Sequence, residues 1–421
     1  MARKVEPLPG TSDIMPEDAA EWRLLEGTAY EVFSRYGYGE LRTPIFERTD
    51  VFLHSIGEET DIVRKEMYTF EDRGGRSLTL RPEGTAGVMR ALANAGIPQG
   101  DEKRVFYIGA MFRGERPAAG RKRQFHQIGV ECVGRTAPEI DVESIDMLIR
   151  YLQTIDVTDT SLLLNTRGTK SDRQAVAQTF HDYFASHITA MCDDCKRRLD
   201  TNVWRILDCK NEPCQHPIDG APPIDKLVSP ESRDYFQRVC DGLVRLQIDF
   251  VLEPRLVRGL DYYNHTVFEV AFEGIGAQNA LGGGGRYIIQ LPGFSQPVNG
   301  VGFAMGMERI ILAREQLGLT TREGITVDLY LVSLGGEALN QNMVLARQLR
   351  AAGYTVLMDL DGRGMKAQMR AANKHDARFA LIRGDNELAR DNIVCKNMAD
   401  AEQQEIPLAE LPDRIGRLLA K

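Results

Sequence analysis

The first regular pattern along the chain is helical. Trp22, Leu25, Ala29, Val32 and Phe33 recur three or four residues apart behind a cap at Glu17 or Asp18, and a turn-rich leader from Pro7 to Asp13 precedes them. Such a stripe predicts an amphipathic helix that needs a partner surface. The pattern then becomes extended. Arg104 to Phe112, Gln124 to Val133 and Tyr262 to Phe272 are rich in β-branched and aromatic residues and are spaced by glycine-rich turns. A mainly antiparallel sheet flanked by helices follows from this. Residues 168–245 are polar and helical in pattern and hold five of the seven cysteines, so they read as an insertion into the sheet domain. After a polar stretch at 317–324, apolar runs at Val327 to Ser333, Tyr354 to Met358 and Arg378 to Ile382 alternate with helical patterns. This predicts a C-terminal α/β domain. The expectation is therefore α+β, with a domain over 1–322, interrupted at about 168–245, and a second over 325–421.

Composition narrows the class. A chain of 421 residues is too long for one core, and 43% hydrophobic with 27% charged residues is ordinary for a soluble globular protein. No apolar run approaches the roughly 18 residues of a membrane span, and the basic N-terminus lacks the apolar core of a signal peptide, so the expected compartment is the cytoplasm with no membrane partner. In that compartment seven cysteines are expected as thiols or metal ligands. The net charge of -8 excludes a uniformly basic nucleic-acid coat while leaving room for local patches.

One such patch carries the chemistry. Residues 102–126 hold seven Lys or Arg and two Glu, a surplus of five positive charges. Strand alternation puts Tyr107, Gly109, Met111 and Arg113 on one face, and Phe125, Gln127, Gly129 and Glu131 on one face of the next strand. Glycine on each face is expected to leave room for a ligand, with Arg113, Gln127 and Glu131 supplying a phosphate fork, an amide and a carboxylate. Glu83, on a turn two positions before Thr85, suits an ammonium group. Arg258 stands shortly before Tyr262 and Tyr263, and the run Gly282 to Gly285 lets backbone approach a ligand. The segment Gly300 to Ile310 is read as a helix that carries Arg309 and packs on the sheet through small residues.

These segments resemble those of the histidyl-tRNA synthetases, class II aminoacyl-tRNA synthetases, nearly end to end. Pro44 resembles the motif 1 proline of the dimer interface, Phe112 to Glu131 resembles motif 2, and Gly302 to Arg309 resembles motif 3. Arg258-Gly-Leu-Asp-Tyr-Tyr263 with Gln124-Phe-His-Gln127 is specific to the histidine enzymes. The resemblance implies that Glu83, Thr85 and Gln127 hold the α-amino group of histidine, and that Glu131 and Tyr263, with Tyr262 nearby, hold the imidazole. It gives Arg113 and Arg258 the substrate carboxylate and α-phosphate, as the catalytic residues, and assigns ATP to Arg113, Glu115 and Arg309, with Mg²⁺ on the phosphates. Arg121, Lys122 and Arg123 would meet the acceptor stem, the alternative being loose, unpaired charges in solvent, and Lys366, Arg370 and Lys374, on one helix face at four-residue steps, would meet the anticodon region of tRNA(His). The implied product is histidyl-tRNA, made by a homodimer. The alternative is a non-catalytic histidine-binding regulatory paralogue of the same fold, which should lack both Arg258 and the C-terminal domain.

Two further motifs stand apart. Cys192 and Cys195, then Cys209 and Cys214, have the spacing of a structural zinc site that would stabilise the insertion. Gly362-Arg-Gly-Met-Lys366 superficially fits a dinucleotide fingerprint, but it follows the second strand of its domain, so a tight turn into a helix is expected. His54, His126 and His265 lack metal spacing and are read as local hydrogen-bonding residues.

Overall fold

The computed structural model of the chain describes residues 5–57, 60–96, 101–276, 279–291, 296–321 and 326–419. It divides into two compact units, Met1–Thr321 and Arg322–Lys421.

The first unit is built on an eight-stranded sheet. In spatial order the strands are Gly39–Glu40, Lys103–Phe112, Gln124–Val133, Val298–Gly306, Ala280–Ile289, Tyr263–Ala271, Ser161–Thr166 and Val251–Leu252. The two edge pairs are parallel and all inner pairs antiparallel. One face is covered by the predicted N-terminal helix, Ala19–Arg35, whose Leu25, Ala29, Val32 and Phe33 are buried. These side chains join Ile145, Leu148 and Tyr151 of the helix Pro138–Thr154 and Phe106, Val130 and Val301 of the sheet. Each such fully buried large side chain contributes on the order of 2 kcal/mol. Asp18 is the N-cap residue, yet its side chain accepts no capping hydrogen bond. The ion pair between Arg314 and Glu21, 2.5 Å apart and buried on both sides, fastens that helix to the helix Met307–Gln316. A small antiparallel sheet of Phe46–Arg48, Ser77–Leu80 and Thr69–Glu71 stands beside the large one.

The polar region from residue 168 has a separate core in which Phe180, Phe184, Trp204, Ile206, Cys195 and Cys214 pack together. Within the insertion, the last side chain of that core is Val228. The next helix, Pro230–Arg245, puts Phe236, Val239 and Leu243 into the main core instead, because its hydrophobic stripe finds the helix Pro138–Thr154.

The second unit is a mixed five-stranded sheet in the order Val356–Met358, Leu329–Ser333, Phe379–Arg383, Asn392–Asn397, Gln403–Pro407. The first three strands are parallel, as the alternating pattern predicts, and the last two add antiparallel edges. Gly362 has φ +66° and leads to the helix Met365–Lys374, the expected turn into a helix.

Candidate active site

The hairpin Lys103–Phe112 with Gln124–Val133 pairs Tyr107 with Gly129, Gly109 with Gln127, Met111 with Phe125 and Val105 with Glu131. The residues read onto one face of each strand therefore meet across the ladder. The space above the glycines is not open to a ligand. A Cβ at Gly129 or at Gly84 would strike the ring of Tyr107, and one at Gly109 would strike the guanidinium of Arg81. Arg81 is itself held by the Ala110 carbonyl at 2.8 Å and by the carbonyl and hydroxyl of Thr43 at 3.1 Å. Small residues here admit two wall side chains, neither of which the sequence pattern assigned to the site.

Beside that wall lies a buried polar pocket. Glu83 accepts from the backbone N–H groups of Thr85 and Ala86 at 2.9 and 2.7 Å, so both oxygens cap the helix Thr85–Ala95. The Thr85 hydroxyl donates to Glu131 Oε1 at 2.6 Å. Burial pushes the Glu131 carboxyl up to about 8, with the charge of Glu83 adding to the rise and Thr85 and Tyr287 opposing it; burial also raises Glu83. Gln127 Oε1 and Glu131 Oε2 are buried without a well-formed hydrogen bond among the described residues, so each has an acceptor position available to a ligand. Tyr262, Tyr263 and Tyr287 close the far side, with ring centroids 4.8 Å apart for the first pair and 5.7 Å for Tyr262 and Tyr287. Glu131 also explains a glycine: a Cβ at Gly302 on the neighbouring strand would meet its carboxylate. Gly300 to Gly306 is thus a central strand, and the helix begins only at Met307. The all-helical reading of that segment fails because the glycines serve cross-strand approach.

Gln127 also lines an adjoining cavity of about 270 Å³, with Arg113, Arg258, Glu269, Gly282 and Arg309. Arg113 donates to the Pro82 carbonyl at 2.9 Å and lies over the Phe125 ring at 5.1 Å. Arg258 donates to Glu269 at 2.6 Å, and a Cβ at Gly283 would be 2.8 Å from its Nη1, so the glycine run admits this arginine across the strand. Arg309 donates to the carbonyls of Gly120 and Ala280 at 3.0 and 2.7 Å. Burial and then the charge of Arg113 push Arg309 below its ordinary value. Three guanidinium groups around one small space make a site for an anion. A larger cavity, about 840 Å³, lies in the second unit among Asn373, Arg378, Asn397 and Gln403, and contains none of this machinery.

Arg121, Lys122 and Arg123 at the hairpin tip are engaged and not loose. Arg121 pairs with Glu115 and stands 3.8 Å from Glu66, Lys122 donates to the Ser12 hydroxyl at 2.8 Å, and Arg123 donates to the Glu115 carbonyl at 3.2 Å.

Comparison with known proteins decides the family. Residues 10–172 and 223–310 match the family described as histidyl-tRNA synthetase, and residues 328–418 match an anticodon binding domain. A histidine–tRNA ligase of Natranaerobius thermophilus is 43% identical over 415 residues, covering 97% of this chain and 98% of its own. The chain belongs to the histidyl-tRNA synthetase family. A second histidine–tRNA ligase, of Halothermothrix orenii, is 44% identical over 97% of this chain and 98% of its own. The structure of apo histidyl-tRNA synthetase from S. aureus superposes with a TM-score of 0.80 at 34% identity, covering 98% of this chain and 100% of that one.

Within this family fold two expected clusters can be located. The four thiols Cys192, Cys195, Cys209 and Cys214 place their sulfurs within 4.8 Å of one another, and Cys192 and Cys209 are 3.8 Å apart. A tetrahedron with Zn–S near 2.3 Å has edges of about 3.8 Å, so the donor set fits that ion. Lys366, Arg370 and Lys374 are exposed on the helix Met365–Lys374. His126 accompanies Glu308, which accepts from its backbone N–H at 2.9 Å and lies 3.1 Å from its Nδ1.

Proposed function

We propose that the chain is a histidine–tRNA ligase that joins L-histidine to tRNA(His) through a histidyl-adenylate, releasing diphosphate and AMP. The observation that carries this reading is the adjacency of the Glu131 pocket to the three-arginine cavity, with Gln127 shared by both.

In the pocket a neutral imidazole, with one donor and one acceptor, is matched by Glu131 on one nitrogen and the Tyr263 hydroxyl on the other, with Tyr262 packed beside them. Glu83, Thr85 and Gln127 receive the α-ammonium group, the unpaired Gln127 oxygen facing it as acceptor. Substrates lacking these polar atoms would leave the buried partners unsatisfied and are rejected for that reason. The histidine carboxylate is ionised at neutral pH, so its attack on the α-phosphorus needs no general base. Arg113 and Arg258 hold the carboxylate and the α-phosphate in line, and Arg258 meets the charge that develops on the phosphate oxygens. Arg309 and Arg113, with Glu115 at the hairpin tip, hold the ATP phosphates. Mg²⁺ bound with those phosphates would supply neutralising charge, and Glu115 and Glu269, whose carboxylates line the cavity, would offer it hard oxygen ligands. The adenylate carbonyl is then attacked by the terminal ribose of tRNA, whose acceptor stem meets Arg121 and Arg123.

The C-terminal domain, 325–421, contributes the anticodon contacts, with Lys366, Arg370 and Lys374 on phosphates. The enzyme works as a cytoplasmic homodimer. A group of exposed apolar side chains, Ile45, Phe46, Tyr68 and Phe70, on and beside the small sheet next to Pro44, supports that interface. Zn²⁺ on the four thiolates stabilises the insertion. Amino-acid-dependent ATP–diphosphate exchange across the twenty amino acids tests the whole reading: exchange with histidine alone is expected, and exchange with another amino acid or with none overturns it.

A further inference from the structure

The loop that carries Arg258 is tied to the sheet, where Asn165 donates to the carbonyls of Pro254 and Leu256 at 3.3 and 3.2 Å, and also to the inserted region. Arg255 donates to Asp219 at 2.9 Å and to Gln215 Oε1 at 2.7 Å, both on the helix Glu212–Asp219, which also carries Cys214. Gln215 in turn donates through its Nε2 to the carbonyl of Cys209 at 2.7 Å and to that of Asn211 at 3.2 Å. Val257, the residue before Arg258, is buried in the inserted region's own apolar core. At the loop's other end Arg173, in the first helix of the insertion, donates to the Asp261 carbonyl at 2.8 Å, immediately before Tyr262. Arg258 itself donates to Glu269 in the sheet.

We infer that Gln215 and Arg255 are positioning residues for adenylate formation, tying the Arg258 loop to the cysteine knuckle so that the packing of the insertion sets where Arg258 stands. The geometry follows from the hydrogen-bonding capacity of an amide. Gln215 spends its N–H groups on the knuckle backbone and its oxygen on Arg255, so one side chain fixes the distance between Cys209 and the loop. Arg255 then uses two nitrogens on two partners of the same helix, which fixes direction as well as distance. Displacement of about 1 Å at a transition-state contact costs up to roughly a hundredfold in rate, so even a small shift of the loop on the insertion side would be felt at Arg258. The inference rests on the role given above to Arg258 and is independent of whether a metal occupies the thiols.

The test compares Arg255→Met and Gln215→Met with wild type in histidine-dependent ATP–diphosphate exchange, on full-length protein with thermal midpoints measured in parallel. Each variant is expected to lower kcat by about tenfold or more while the KM for histidine stays within about twofold, since the Glu131 pocket is untouched. Arg255→Lys, which keeps a cation for Asp219 but cannot serve both partners, is expected between the two. Because the residues act in series, the double variant should be no slower than the slower single one. In an Arg258→Ala background, Arg255→Met should cost nothing further. A wild-type kcat in folded Arg255→Met and Gln215→Met overturns the positioning role. Undiminished exchange by Arg258→Ala overturns instead the assignment on which it rests. Should Arg255→Met fail to fold, Gln215→Met carries the comparison from the other side, because it leaves the Arg255–Asp219 pair in place.

Discussion

The hydroxyl of Thr85 and the carboxylate of Glu131, 46 residues apart in sequence, meet at 2.6 Å inside the pocket. This bond joins the first residue of a helix to the inner face of a central strand, so the two sides of the pocket are set against each other before any ligand arrives. It also leaves Glu131 with one oxygen committed and one available.

Arg258 is expected to act on the rate and not on histidine affinity. Arg258→Ala should lower the single-turnover rate of adenylate formation by about a hundredfold or more, with histidine binding by calorimetry little changed, because the interaction strengthens as charge spreads on the phosphate. It also leaves Glu269 without its cation, so Arg258→Ala/Glu269→Gln should be more stable than Arg258→Ala alone. A normal adenylation rate at saturating substrates sinks the assignment.

The pH dependence of stability should carry the signature of Glu131. With a native value near 8 against an ordinary 4.5, the folded chain keeps a proton that the unfolded chain releases, so this group makes stability fall as pH rises from about 4.5 to about 8. Below that window both states are protonated and the penalty is absent. Glu131→Gln removes the term, and its stability advantage over wild type should grow across the window to a few kcal/mol, roughly, at pH 8. Parallel unfolding curves for the two proteins at pH 5 and pH 8 would refute it.

Protein purified without chelator is expected to contain about one zinc per chain if four thiolates close the site. Elemental analysis of wild type beside Cys192→Ser/Cys195→Ser measures this, and equal, negligible zinc in both ends the idea.

The exposed cations of the C-terminal domain should matter to tRNA and not to adenylation. Replacing Lys366, Arg370 and Lys374 together by Ala should leave exchange unchanged, weaken tRNA binding, and reduce the slope of log affinity against log salt by about two to three. An unaltered slope would remove these residues from the interface.

Strand positions were legible because alternation and β-branched content are local. Gln124 to Val133 is found at its expected bounds, and the face containing Gln127 and Glu131 is the one that meets Tyr107 and Gly109. What fills the space over a glycine is a tertiary fact, and no sequence pattern names Tyr107 or Arg81 as the filler. Gly300 to Gly306 lacked enough branched residues to read as a strand, yet it needs glycine because Glu131 crosses it. Arg255, Gln215 and Glu269 were missed for the same reason. Each is an ordinary surface residue type whose importance comes from a partner outside its own element: Glu269 meets Arg258, 11 residues earlier, and Arg255 meets Gln215, 40 residues earlier.

The place of Val298–Gly306 in the sheet bears on synthesis. This strand lies between Gln124–Val133 and Ala280–Ile289, so the two halves of the sheet cannot join until it has emerged. At ordinary elongation speeds the interval after residue 133 is on the order of ten to thirty seconds. During it the early hairpin carries an uncovered edge, open to pairing with a neighbouring nascent chain. The inserted region, with its own apolar core, can fold within that delay, so a platform for the Arg258 loop is in place before the sheet that will receive it is complete.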